Sequence, residues 1–297
     1  SALRIREKVL GYKHEDVATT LDNIGVLYCD LGNYQKALEY CEHAFRIFKK
    51  ISGENHPDVA LSYNSIGFIY SETGNFDKAL EYYRKALSIQ EKAFGNDHPE
   101  LATTLNNIGQ AYYSNSDFDI ALTFYNKSLA IWEKVFGLNH PIVAYSYNNI
   151  GSLYEDLGEY EIAMEYYMKA LNIRNKAFGQ ENIDVAGTYN NIGSCYYNQE
   201  NYLLAKEYYL KSLEIRKKIT GEENNYVATT MNNIGLIYAN QGDYQNAMEF
   251  YNRALAIQLK LLGSEHPLVA TLYNNIGRIC LTQGDNAKAL DYFTKAM

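Results

Sequence analysis

Paired asparagines are the residues of this 297-residue chain best suited to do chemistry, and that chemistry is hydrogen bonding rather than bond making. Asn106-Asn107, Asn148-Asn149, Asn190-Asn191, Asn232-Asn233 and Asn274-Asn275 recur every 42 residues, and Asp22-Asn23 and Asn64-Ser65 hold the two earlier positions of the same register. Each side-chain amide offers one acceptor and two donors, which complement the C=O and N–H of an extended peptide. Asparagine is a mediocre residue inside a helix because its amide competes for the backbone. A double row of it therefore needs a use. One use is to hold the main chain of a bound peptide, for which the expected residues are Asn64, Asn106, Asn107, Asn148, Asn149, Asn190, Asn191, Asn232, Asn233 and Asn274. The other is to bond between neighbouring repeats and keep them in register. The two are not exclusive.

The elements that carry these pairs follow from the period. Gly25, Gly67, Gly109, Gly151, Gly193, Gly235 and Gly277 keep the 42-residue spacing without deviation, as do Ala37, Ala79, Ala121, Ala163, Ala205, Ala247 and Ala289. A fixed period of this length means one supersecondary unit copied and stacked. In residues 56–95, Pro57 and Asp58 suit a helix start. Val59, Ala60, Tyr63, Ile66, Gly67 and Tyr70 then form one apolar stripe at spacings of three and four. Gly74-Asn75 breaks the helix, and Phe76, Ala79, Leu80, Tyr83, Ala86, Leu87 and Ile89 form a second stripe that ends at Gly95, a residue suited to the left-handed position after a helix. Glycine inside a helix costs about 1 kcal/mol relative to alanine, so seven in register imply a tight helix crossing. Lysine one turn before the closing glycine, as at Lys92 and Lys134, reads mainly as helix termination. Each unit is a helix–turn–helix hairpin that must stack on its neighbours.

The string N-x-I-G-x-x-Y-x-x-x-G-x-[YF]-x-x-A-[LM]-x-[YF]-Y resembles the tetratricopeptide repeat, and the long period with H-P at the unit boundaries resembles the variety found in kinesin light chains and nephrocystin-like proteins. The resemblance implies an all-α, right-handed superhelical solenoid of hairpins over residues 1–297, a single array. Residues 1–11 are expected to be the tail of a preceding second helix, with repeats at about 14–53, 56–95, 98–137, 140–179, 182–221, 224–263 and a truncated 266–297. It also implies that the asparagines line a concave groove and hold the main chain of a cargo peptide. Local departures are Asn182-Ile183 and Asn224-Asn225 for His-Pro, Ser116 and Glu200 for the turn glycine, and Cys280 and Asn286 for aromatics in the last unit.

A row one turn beyond the asparagines varies from repeat to repeat, with Val26, Phe68, Gln110, Ser152, Ser194, Leu236 and Arg278. Specificity is expected there, at Phe68, Gln110, Ser152, Ser194 and Arg278. Arg278 is the one basic residue of the inward rows, against Asp22, Asp30, Glu72 and Asp156, which favours neutral or basic peptides over ligands that need a basic groove. The net charge of −8 without a basic stripe argues against nucleic acid and anionic membranes. Cys29, Cys41, Cys195 and Cys280 show no paired spacing, and His56, His98, His140 and His266 are one repeat apart, so capping rather than metal binding is expected of the histidines. Glu155-Asp156 has no nucleophile–base partner, and the glycines form no phosphate loop. The expected function is a non-catalytic, cytoplasmic interaction scaffold without cofactor or metal, taking an extended peptide or a partner helix. The alternatives are head-to-tail self-association through half-helices at the two ends, or service as a regulatory or targeting segment of a larger enzyme or signalling protein.

Overall fold

The computed structural model describes residues 2–297; residue 1, part of the expected N-terminal tail, lies outside them. The described residues form fifteen α-helices and no strand. α1 (Ala2–Leu10) is followed by seven helix pairs. They are α2 (Glu15–Asp30) and α3 (Tyr34–Ser52), α4 (Pro57–Glu72) and α5 (Phe76–Phe94), α6 (Pro99–Ser114) and α7 (Phe118–Phe136), and α8 (Pro141–Asp156) and α9 (Tyr160–Phe178). The series continues with α10 (Ile183–Asn198) and α11 (Tyr202–Thr220), α12 (Asn225–Asn240) and α13 (Tyr244–Leu262), and α14 (Pro267–Thr282) and α15 (Asn286–Lys295). This is the all-α helical-repeat solenoid that the period predicts. The helices gather into two compact units, 1–153 and 154–297, with the boundary inside α8.

Local chemistry explains most starts and stops; Asp117 and Glu159, before α7 and α9, make no side-chain cap bond. The Nδ1 atoms of His14, His56, His98, His140 and His266 accept from the backbone N–H two residues on, at 3.1–3.3 Å. Asn182 and Asn224, which stand where other repeats have histidine, make the same bond at 2.7 and 2.8 Å. The boundary histidines are thus N-caps. Inside a hairpin, Gly74 N–H donates to Ser71 O and Asn75 N–H to Tyr70 O, a Schellman stop, after which Asn75 Oδ1 accepts from Lys78 N–H to start the next helix. Ser116 and Glu200 keep this turn at φ 65° and 60°, in the left-handed region that side chains disfavour. The glycine that closes each second helix behaves differently from the sequence expectation. Gly95 has φ 76° and ψ −171°, the mirror-extended region that only glycine occupies freely, rather than the left-handed helical one.

The core glycines face aromatic rings. A Cβ added to Gly67, Gly109, Gly193, Gly235 or Gly277 would come within 2.6–2.8 Å of the ring of Tyr83, Tyr125, Tyr209, Tyr251 or Phe293. Gly25 faces Cys41 instead, together with the Ala37 carbonyl at 2.9 Å. The glycine therefore makes room chiefly for a tyrosine ring on the second helix. The small residue at Ala37 and its equivalents lets the backbones approach.

Consecutive hairpins are tied by polar bonds that the apolar pattern does not reveal. Arg174 Nη1 donates to Asp184 O at 3.0 Å and to Thr188 Oγ1, and Arg216 does the same to Tyr226 O and Thr230 Oγ1. Thr104 Oγ1 donates to Gln90 Oε1 at 2.6 Å in the corresponding place. Burial pushes the Arg216 guanidinium down to about 10. The lysines before the closing glycine do more than terminate helices. Lys134 pairs with Asp97 at 2.6 Å, and Lys218 and Lys260 pair with Glu181 and Glu223, each 37 residues earlier.

Candidate peptide-binding face

Within each unit the first helices of successive pairs present the asparagine rows on one face. Because 3.6 residues make a turn, Asn64 and Phe68 lie four residues apart on one side of α4, opposite the buried Val59, Ile66 and Ile69. Within residues 1–153, Ser65 Oγ donates to Asp22 Oδ2 at 2.6 Å, and Asn149 Nδ2 donates to Asn106 Oδ1 at 3.2 Å. Within residues 154–297, Asn233 Nδ2 donates to Asn190 Oδ1 at 3.4 Å and Asn275 Nδ2 to Asn232 Oδ1 at 2.9 Å. All four bonds span 43 residues, from the second member of one pair to the first member of the preceding pair. Asn64 departs from the pattern and donates to Thr104 Oγ1 at 2.8 Å.

A second rung with the same 43-residue step runs two turns further along. Asn198 Nδ2 donates to Glu155 Oε1 at 2.9 Å, and Asn240 Nδ2 donates to Tyr197 Oη at 2.7 Å. Glu155 also accepts from Tyr167 Oη at 2.7 Å, and its burial raises its pKa above the usual carboxylate range. Its role is inter-repeat bonding, which sequence reading alone did not assign. The signal was present: adding 43 to a polar position of one first helix gives its partner in the next.

The candidate residues differ in accessibility. Asn106 is buried, at 3% exposure. Asn64, Asn107, Asn148, Asn149, Asn190, Asn191, Asn232, Asn233 and Asn275 are half-buried, and Asn23 and Asn274 are exposed. In the variable row Phe68, Gln110, Ser152 and Ser194 are half-buried and Arg278 is exposed. Gln110 accepts from Tyr125 Oη at 2.9 Å, so this row also orients the core tyrosines from the surface side.

The carboxylates of residues 1–153 gather on the same face. Asp22 accepts from Ser65 while its Oδ1 is buried without a partner, and burial pushes its pKa up to about 6. Asp30 and Glu72 are exposed one repeat apart, and Glu72 is raised by partial desolvation and by the Asp30 charge. Among the described residues no three His, Cys, Asp or Glu side chains converge as a metal site, and no helix is long and apolar enough to cross a membrane. The four cysteines are free and buried.

The tetratricopeptide repeat family matches residues 16–92, 59–130, 100–176, 184–260 and 226–297, and the chain belongs to that family. The repeat is a protein-interaction fold. Among solved structures the chain is similar to BtubC (BKLC) from P. vanneervenii, with 24% identity over 80% of this chain and 92% of that one and a TM-score of 0.61. A kinesin light chain-type protein of P. anserina, with nearly identical TPR-like repeats, matches at 21% identity over 70% and 98% of the two chains, with a TM-score of 0.56. The Rap conjugation gene regulator of plasmid pLS20, solved in complex with the Phr* peptide, matches at 19% identity over 92% and 70%, with a TM-score of 0.68. At these identities the likeness is one of fold. No curated protein matches the sequence.

Proposed function

We propose that this chain is a non-catalytic scaffold that holds an extended peptide or a partner helix against the first-helix face, with the asparagine rows bonding its main chain and the variable row selecting it. The observation that carries this reading is the economy of the 43-residue ladder. Each inter-repeat bond uses one N–H of one amide and one lone pair of its neighbour. An amide has two N–H groups and two lone pairs, so register bonding leaves each pair capacity for a ligand. The ladder also fixes the amides in place, which lowers the entropy lost when a peptide binds. The Rap regulator solved in complex with the Phr* peptide supports a peptide as the kind of ligand a protein of this fold can take.

Exposed Asp30 and Glu72 favour neutral or basic residues opposite residues 1–153. The unbroken period supports a single array of seven repeats, and the absence of a basic stripe supports a protein rather than a nucleic-acid partner.

The test selects ligands from a displayed library of random twelve-residue peptides against the full chain. Selected peptides are then measured against Asn107→Ala/Asn149→Ala/Asn233→Ala. Each lost hydrogen bond is worth about 0.5–1.5 kcal/mol net, so the triple variant should bind at least about tenfold more weakly. Unchanged affinity of the folded variant, with a large fall in melting temperature, would assign the ladder to register alone.

A further inference from the structure

Two rungs of the 43-residue ladder carry a carboxyl where other hairpins carry an amide, and both lie between α2 and α4. In the first rung Ser65 Oγ donates to Asp22, whereas the equivalent acceptors in later hairpins are Asn106, Asn190 and Asn232. In the second rung Glu72 fills the position from which Asn198 and Asn240 donate. No other two consecutive first helices combine an acid at both positions. An amide brings donors as well as acceptors, and an ionised carboxylate brings acceptors alone. Asp22 Oδ1 accordingly sits sealed from solvent without a partner. A protonated carboxyl is neutral, as an amide is, and regains one donor.

Every element packed on this joint contributes neutral or acidic groups to it. Ser62 and Ser65 of α4 face Asp22, as does the Cys41 thiol of α3, which donates to Asp22 O at 3.7 Å. Around Glu72 stand Cys29 and Asp30 of α2, Tyr34 of α3 and Tyr83 of α5. Arg6 of α1 is spent on Asp16 O and Thr20 Oγ1, and Thr104 of α6 accepts from Asn64. Lys36 of α3 and Lys78 of α5 rest over the Tyr28 and Tyr70 rings, at 5.3 and 4.9 Å. No cation is among the groups that act on either carboxyl. Burial is the main influence on both: it pushes Asp22 up to about 6 and, together with the Asp30 charge, raises Glu72 from its ordinary value.

We propose that α2 and α4 meet in an acid-operated clasp: with Asp22 and Glu72 protonated the first hairpin docks on the second as amides dock elsewhere, and with both ionised the α2–α3 hairpin opens locally from α4. A buried carboxylate without a donor must be rehydrated, and in a solenoid the opening of one joint stays near that joint. Both carboxyls hold their protons more tightly closed than open. Opening is therefore least below about pH 4 and grows as pH rises through about 6. The clasp goes beyond the peptide reading and operates without a ligand.

The experiment follows amide hydrogen exchange of the full chain from about pH 4 to about pH 8, each rate divided by the intrinsic rate at that pH. The opening equilibrium of the α2 and α3 amides should rise about tenfold per pH unit between about 4 and 6, approach a hundredfold in all, and then level off. The amides of α12 and α13, where Asn232 and Asn240 form the rungs, are the internal reference and should change less than about threefold. Asp22→Asn/Glu72→Gln supplies amides at both rungs and should keep the acid value of opening at every pH. The Asp22 carboxyl carbon, assigned by its loss in Asp22→Asn, should titrate in the parent with a midpoint above about 5. A midpoint near 4, an equal rise of opening in α12 and α13, or an unchanged rise in the double variant would each overturn the clasp. None of these readouts involves a peptide, so the clasp and the peptide-scaffold reading stand or fall separately.

Discussion

A methyl group placed at Gly193 tests the tightest contact of the fold, and α10 contains its own control. An alanine Cβ there would sit 2.8, 2.9 and 3.1 Å from Cδ1, Cε1 and Cγ of Tyr209. Carbon atoms rest at about 3.5–4.0 Å, so three contacts are too short by roughly half an ångström to one ångström. Cγ is fixed near the backbone, and Tyr209 is only 3% exposed, so the ring has little room to swing away. Overpacking of this kind costs about 1–3 kcal/mol, against about 1 kcal/mol gained by replacing a helical glycine with alanine. Gly193→Ala should therefore lie between neutral and about 2 kcal/mol less stable than the parent. Gly187 lies on the same helix with nothing within 4 Å of its added Cβ. Gly187→Ala should show the propensity gain alone, about 1 kcal/mol of stabilisation.

The difference between the two alanine variants, about 1–3 kcal/mol by urea denaturation followed by circular dichroism, measures the ring contact itself. Gly193→Leu should lose more and broaden the transition, because a solenoid couples only near neighbours. Adding Tyr209→Leu to Gly193→Ala should recover part of the clash. The double variant should therefore be more stable than the sum of the singles, although the lost ring leaves its own deficit. Equal stability of Gly193→Ala and Gly187→Ala, with no coupling to Tyr209, would refute the account of why the glycine row exists.

Three further outcomes follow from particular residues. Asp22 has its folded pKa raised from 3.8 to about 6, so its proton is held more tightly in the native state and its contribution to stability is lost as pH rises from about 4 through 6. Asp22→Asn restores the residue found at this position in the other repeats and should be more stable than the parent at pH 7, by about 3 kcal/mol at most. That advantage should vanish below pH 4, read as the difference in urea midpoints across the range. Glu200→Gly relieves a left-handed side-chain residue worth about 1–2 kcal/mol but loosens the unfolded chain, for a net gain of about 0.5–1 kcal/mol in thermal melts. His98→Ala removes the cap of α6 and should cost about 1 kcal/mol, while His98→Asn, which copies Asn182, should cost little by the same assay.

Much of this fold is legible in the chain because the period does the work of an alignment. The stripe of Val59, Ile66 and Ile69, the Gly74 stop and the His56 cap are local features, and each lies where hydrophobic spacing and capping chemistry put it. What stayed hidden needs two hairpins at once. The Arg174 and Arg216 clamps look like surface arginines in a sequence, yet each is 7% exposed because the following first helix covers it. The proposed binding face divides in the same way. That a double asparagine row had to be supported by something was readable; that Asn233 reaches back to Asn190 across 43 residues was not.

Under the proposed function, the exceptions to the repeat carry the specificity. A position filled by asparagine in most repeats reports what the stack needs. Asp22 breaks that rule with a titrating carboxyl, and Leu236 breaks the rule that satisfies Gln110's tyrosine. Arg278 then places a charge where every other repeat is neutral. Selection for stacking alone would erase such differences, because a consensus residue already satisfies the neighbours at each site. They lie on the first helices, against a second-helix core that keeps its alanine without exception and an aromatic at all but Cys41, which is the pattern the proposed ligand-selecting face requires.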